Sequence, residues 1–177
     1  MSNVVGHRDP EIQALLDKQA IRELMFRYFR GLDRGDEALM ASVFHSDAVD
    51  YHAPGKTFRG VTIASEILAM AGQLNVVAGT HHITNQNVEL DGDTARCESY
   101  FYGFMLMPRD GNDITVQFAG RYLDRLDRRD GEWRIAERKV VADMSSMTAA
   151  QWTVPHLTYD ERDKADPSYE LFGEMSK

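Results

Sequence analysis

Residues 80–107 read THHITNQNVELDGDTARCESYFYGFMLM, and this stretch decides the fold. Two long strand-like runs flank Asp91-Gly92-Asp93, a hairpin signal, because a tight turn between strands needs residues that tolerate positive φ. The spacing predicts antiparallel strands over 80–90 and 94–107. The pattern continues downstream through turn residues at 108–112, a long strand over 114–126, a second turn at Arg129-Asp130-Gly131 and a last strand from Trp133 to Met144. Upstream the apolar period lengthens to that of a helix. Ile12, Leu15, Leu16, Ile21, Leu24, Met25, Tyr28, Phe29 and Leu32 recur at helical spacing behind Asp9-Pro10, a capping carboxylate followed by a residue suited to the first helical position. Gly35 closes that helix, and Asp36 caps a short second one. A strand around Val49–His52, a turn at 53–56 and a further helix over 61–75 complete the order. Helices first and a mainly antiparallel sheet afterwards make an α+β fold, with helices on one face of a curved sheet that can enclose a pocket.

The chain has 177 residues, 43% hydrophobic and 27% charged, enough for one domain with a real core. We place the domain at 1–144 and treat 145–177, which is polar with scattered aromatic anchors, as a tail covering the pocket or a partner. A net charge of -8 argues against nucleic acid or an anionic membrane as the partner. One cysteine, Cys97, excludes an intramolecular disulfide and fits a reducing compartment. With no apolar stretch of membrane-spanning length, the expectation is a cytoplasmic protein. No His-x-x-x-His, Cys-x-x-Cys, glycine-rich phosphate loop or Gly-x-Ser-x-Gly motif occurs, so neither metal nor other cofactor is expected.

Four residues are candidates for chemistry. Asp33 sits where the first helix ends, and composition alone favours a turn or capping carboxylate there. Tyr28 by itself reads as a core tyrosine. His81 and His82 are adjacent and must point to opposite faces of a strand, with the pattern leaving open which one faces inward. Arg138 lies in the middle of the last strand, either on a solvated outer face or turned inward to bind an anion or carbonyl.

The run Lys18-Gln19-Ala20-Ile21-Arg22-Glu23-Leu24 … Tyr28 … Gly31-Leu32-Asp33 … Asp36 … Phe44 … Asp47-Ala48-Val49 resembles the opening of SnoaL-like proteins, members of the nuclear-transport-factor-2-like cone superfamily. Thr80-His81-His82-Ile83-Thr84-Asn85 and Asp130-Gly131-Glu132-Trp133-Arg134-Ile135 … Arg138 extend the likeness over roughly Glu11 to Asp143. Within it the pattern is similar to the branch that holds scytalone dehydratase, bile-acid 7α-dehydratase and lindane dehydrochlorinase. The resemblance implies a catalytic set of Asp33 and His81 as orienting acid and base, with Tyr28 and Arg138 assisting. It further implies a pocket lined by Met25, Phe29, Phe44, Tyr51, Leu68, Tyr100 and Tyr102, a small apolar molecule as partner, and a homodimer. The implied activity is a cofactor-free dehydratase-type lyase or an isomerase for a small hydroxylated ring or enone. A non-catalytic carrier of a hydrophobic molecule and the small subunit of an aromatic-ring dioxygenase are the alternatives. The further acid of the bile-acid enzyme has no counterpart in Tyr100–Phe104, which leaves proton delivery to Tyr28, Tyr100 or Tyr102.

Overall fold

Asp9 begins the structure as its sequence position demands. Its carboxylate accepts the Glu11 N–H at 2.8 Å, and helix α1 runs from Pro10 to Arg34. Gly35 ends the helix with φ at 64°, a left-handed conformation that costs a glycine nothing. The computed structural model describes residues 9–150 and 163–173. Asp36 caps α2 (Glu37–Ala41) by accepting from the Leu39 N–H. Gly31 lets α2 pack closely, since a Cβ there would lie 2.8 Å from the Met40 backbone nitrogen.

Strand β1 (Phe44–Ala53) and the short β2 (Lys56–Arg59) form a hairpin, and a 3-10 turn leads into α3 (Ile63–Gln73). Then come β3 (Ala78–Asp91), β4 (Thr94–Arg109), β5 (Asn112–Arg129) and β6 (Glu132–Ala149). The six strands lie in the order β2-β1-β6-β5-β4-β3, with only the β1–β6 pair parallel. The strands β4 to β6 are longer than their residue patterns predict: β6 extends to Ala149, five residues into the segment read as tail, because its ladder with β5 continues to Ile114. No helix among the described residues is long and apolar enough to cross a membrane.

The core lies between α1, α3 and the concave face of the sheet. Ile21, Leu24 and Met25 of α1, Ile67 of α3, and Leu126 and Ile135 of the sheet are at most 2% exposed. Each such side chain contributes roughly 1.5–3 kcal/mol relative to leaving it in water. The first turns of α1 lie outside this core, where Ile12, Leu15 and Leu16 are exposed despite their helical spacing.

Two β-bulges decide which residues face that core. Between β3 and β4, Ile83 pairs with Phe101 and Gln86 with Ser99, three steps against two. His81 and Ile83 therefore face inward on one side of the bulge, while Val88 and Leu90 pack inward on the other. A strict alternation could not have placed both sets on one face. Between β5 and β6, Arg125 pairs with Glu137 and Leu126 with Ile135, so Ala136 is the extra residue. Trp133 and Ile135 point inward before it, and Arg138 and Val140 after it.

Candidate active site

Asp33, in the last turn of α1, meets His81 on β3 with both carboxylate oxygens. Oδ1 lies 2.6 Å from His81 Nδ1, and Oδ2 accepts the His81 backbone N–H at 2.9 Å. The helix-end aspartate thus fixes the ring and its strand together. Nδ1 against a carboxylate oxygen carries the proton, which leaves Nε2 as the basic nitrogen, and Nε2 makes no hydrogen bond among the described residues. Phe29 stacks on the ring at 5.3 Å and Phe118 meets it edge-on at 5.3 Å. His82 points the other way, exposed, near Thr80.

A second polar group lies deeper, joined to the first by aromatic side chains. Phe29 touches Tyr28 and Tyr122 as well as His81, and Phe101 stacks on Tyr122 at 4.7 Å. Behind them Arg138 is wholly buried, with its guanidinium carbon 4.2 Å from the Tyr28 ring centre and 4.1 Å from that of Tyr122. Its Nε and Nη2 both donate to Asp124 at 2.8 Å, and Nη2 also lies 3.1 Å from Met25 Sδ. Burial works against the guanidinium charge, but the Asp124 carboxylate outweighs it and holds Arg138 protonated well above its ordinary range. Burial likewise pushes the Tyr28 hydroxyl up to about 12, with Arg138 opposing and Asp50 adding to the rise. Tyr28 is therefore a neutral hydrogen-bond donor at ordinary pH.

Sequence reasoning missed Asp50 and Asp124. Asp50 is the cross-strand neighbour of Arg138 in the parallel β1–β6 pair, and both residues have no exposure. Asp124 was hidden by the bulge. The Arg129–Glu132 hairpin register, carried on unbroken, would set Asp124 opposite Glu137, a destabilising pair of like charges. The extra Ala136 slides it opposite Arg138 instead. The readable signal was the inward alternation of Tyr122, Asp124 and Leu126, which puts a carboxylate on a core-facing position.

The expected lining divides in the same way. Met25, Phe29 and Phe44 surround the site, and Leu68 packs against the core. Tyr51, Tyr100 and Tyr102 do not join them. Tyr51 alternates with the inward Asp50 and is 41% exposed. Tyr100 and Tyr102 flank the inward Phe101, so they lie on the outer face, Tyr100 beside Arg121 and Tyr102 hydrogen-bonded to Gln117. Neither faces the dyad to deliver a proton. A groove of about 1030 Å³ opens between α1 and strands β3–β5, lined by Lys18, Arg22, Val88, Cys97 and Asp124 among others, and includes neither Asp33 nor His81. Its rim is charged and no histidine lines it.

Residues 163–173 pack on the end of α1. Tyr169 donates to Asp36 at 2.8 Å, Arg34 pairs with Asp166 at 3.3 Å, and the Arg30 guanidinium lies over the Tyr169 and Phe172 rings. The pocket-closing segment proposed for Trp152–Tyr159 lies outside the described residues.

The model of the SnoaL-like domain family matches residues 13–139, well over half of the chain. The chain belongs to the SnoaL-like family. No curated protein matches it. Among solved structures, a hexachlorocyclohexane dehydrochlorinase of type 2 superposes with a TM-score of 0.74 at 19% identity, covering 83% of this chain and 99% of its own. A Novosphingobium aromaticivorans protein assigned as a scytalone dehydratase gives 0.67 at 21%, covering 82% and 97%. Another from the same organism, assigned as an aromatic ring hydroxylase, gives 0.63 at 26%, covering 77% and 94%. At these identities the first two likenesses establish the cone fold of this SnoaL-like chain, with its sheet open rather than closed into a barrel.

Proposed function

We propose that this SnoaL-like protein is a cofactor-free lyase of the dehydratase type, or an isomerase, acting on a small hydroxylated cyclic or enone substrate. The Asp33–His81 pair carries the proposal: a carboxylate at 2.6 Å from Nδ1 orients the ring and stabilises the imidazolium that proton uptake creates. His81 Nε2 takes the proton from a carbon next to a carbonyl, and the C–H electrons form the new double bond as the hydroxyl on the neighbouring carbon departs. That hydroxide and the abstracted proton leave together as water. The Tyr28 hydroxyl and Arg138, on the far side of Phe29, donate hydrogen bonds to oxygen as charge develops on it. The structural likeness to a dehydrochlorinase supports the elimination class, since that neighbour's name also describes loss of a proton and a leaving group.

3-Hydroxycyclohexanone, whose dehydration to cyclohex-2-enone is followed by ultraviolet absorbance, tests this directly. His81→Gln is expected to lower kcat by about 10²–10⁴. Turnover that survives the substitution ends the proposal. The continuous cluster of aromatic rings from Phe29, Phe101, Phe118 and Tyr122 favours one second reading, a carrier for an apolar molecule. Binding without turnover in the same assay would select it.

A further inference from the structure

The buried group around Arg138 holds more hydrogen-bonding capacity than it uses. Arg138 Nη1, the Tyr28 hydroxyl and both carboxylate oxygens of Asp50 are all buried, and none makes a hydrogen bond of good geometry among the described residues, although the Tyr28 hydroxyl lies near enough to Tyr122 and Arg138 to interact with both. The three residues have no exposure at all, and a buried polar group left unpaired costs on the order of 1–3 kcal/mol. Orphaned groups of that cost concentrate where something else completes them. His52 does not complete Asp50. Its Nδ1 stands 3.6 Å from Oδ1, beyond hydrogen-bond distance, and is itself unpaired. Nor does Arg138 complete it, because Asp124 has drawn Nε and Nη2 to its own side.

We infer that Asp50, with Arg138 Nη1 and the Tyr28 hydroxyl, forms a subsite for a substrate hydroxyl and makes the protein select hydroxylated substrates over their halogenated counterparts. This rests on the lyase reading above and names its substrate class. The chemistry of the three groups is mixed: two donors and one acceptor-rich carboxylate. A hydroxyl answers both kinds at once, donating its proton to Asp50 while its oxygen accepts from Tyr28 and Arg138. A carbon-bound chlorine has no proton to donate and leaves the carboxylate unsatisfied. Sites that hydrogen-bond a substrate hydroxyl reject analogues that lack it far more strongly than apolar pockets reject a change in size.

3-Hydroxycyclohexanone and 3-chlorocyclohexanone form a matched pair of probes, since both eliminate to cyclohex-2-enone and differ only in the group that leaves. The quantity to compare is kcat/KM divided by the spontaneous rate constant in buffer, which removes the intrinsic ease of chloride loss. The wild type is expected to favour the hydroxy ketone by about 10²-fold or more on this scale. Asp50→Leu should bring the ratio close to one, with the chloro ketone accelerated more than before. Asp50→Asn, which keeps a carbonyl acceptor of the same shape, should retain an intermediate ratio. Calorimetric titration of 3-hydroxycyclohexanone into the inactive His81→Gln protein, with and without Asp50→Leu, separates binding from chemistry, and the second substitution should weaken affinity at least about fivefold. A wild type inert towards both ketones removes the lyase reading and this inference together. A wild type that loses activity on His81→Gln, yet keeps its ratio on Asp50→Leu in a protein of native circular dichroism, removes the inference alone.

Discussion

Two arginines on opposite faces of one sheet make the same bond and do different things. Arg138 on β6 and Arg121 on β5 each grip an aspartate end-on through Nε and Nη2, at 2.8 Å to Asp124 and 3.1 Å to Asp143. Each lies beside tyrosine rings. The difference is in the third nitrogen and in the solvent. Arg121 Nη1 donates to Glu98 at 3.1 Å on the outer face, so every part of that guanidinium is answered. Arg138 Nη1 has no hydrogen-bond partner among the described residues and no exposure to solvent. A satisfied pair in solvent trims the surface, whereas a buried pair with one arm free constrains the core and, on the proposal above, keeps a donor for a ligand.

The comparison breaks most visibly at Asp124. Asp124→Leu leaves a guanidinium buried without its counter-charge, with an expected cost of about 3–5 kcal/mol and a fall in Tm of roughly 10 °C. Adding Arg138→Met should recover most of that Tm while the proposed lyase activity stays lost. A double variant as unstable as the single one would show that the pair contributes stability of its own.

Between the two extremes stands the Tyr169–Asp36 contact. Burial raises the Asp36 carboxyl, but the Leu39 N–H, the Tyr169 hydroxyl and Lys164 outweigh it and set the carboxyl below its ordinary 3.8. The ionised form is thus the one the fold favours. Its stabilisation is complete above 3.8 and disappears as pH falls through the lowered folded value. Tyr169→Phe should cost about 1 kcal/mol near neutrality, read as a Tm lower by about 2–4 °C, and the deficit should vanish progressively below pH 3.8. A deficit independent of pH would mean that the hydroxyl contributes through packing rather than through Asp36.

The smallest effect belongs to the outer face. Arg121→Gln is expected to move Tm by about 2 °C at most, less at high salt. A larger loss would place the outer arginine on the same footing as the inner one.

How much of this was legible in the sequence follows from what each feature depends on. Helix α1 was readable to its caps because Asp9, Pro10 and Gly35 act through local chemistry. The hairpins at Asp91-Gly92-Asp93 and Arg129-Asp130-Gly131 were readable for the same reason. The Asp33–His81 pair was reached only through family likeness, since 48 residues separate its members and no local rule brings them together. The inward faces of β3 and β6 were not readable, because each bulge adds one residue that no side-chain pattern marks, and everything beyond it changes side. Tyr100 and Tyr102 were misplaced on the same ground: aromatic character does not reveal a face, and only the pairing of Phe101 with Gly120 does.

The extra residue in β6 also has a hereditary consequence. Loss of the single codon for Ala136 would change no charge and would close the bulge, leaving Arg125 opposite Glu137 and Asp124 opposite Arg138 in an unbroken ladder. Lineages that carry this site can exchange its side chains one at a time. They can also lose this one residue and keep the guanidinium on the inner face, whereas a deletion at any paired position beyond it would turn the following side chains over.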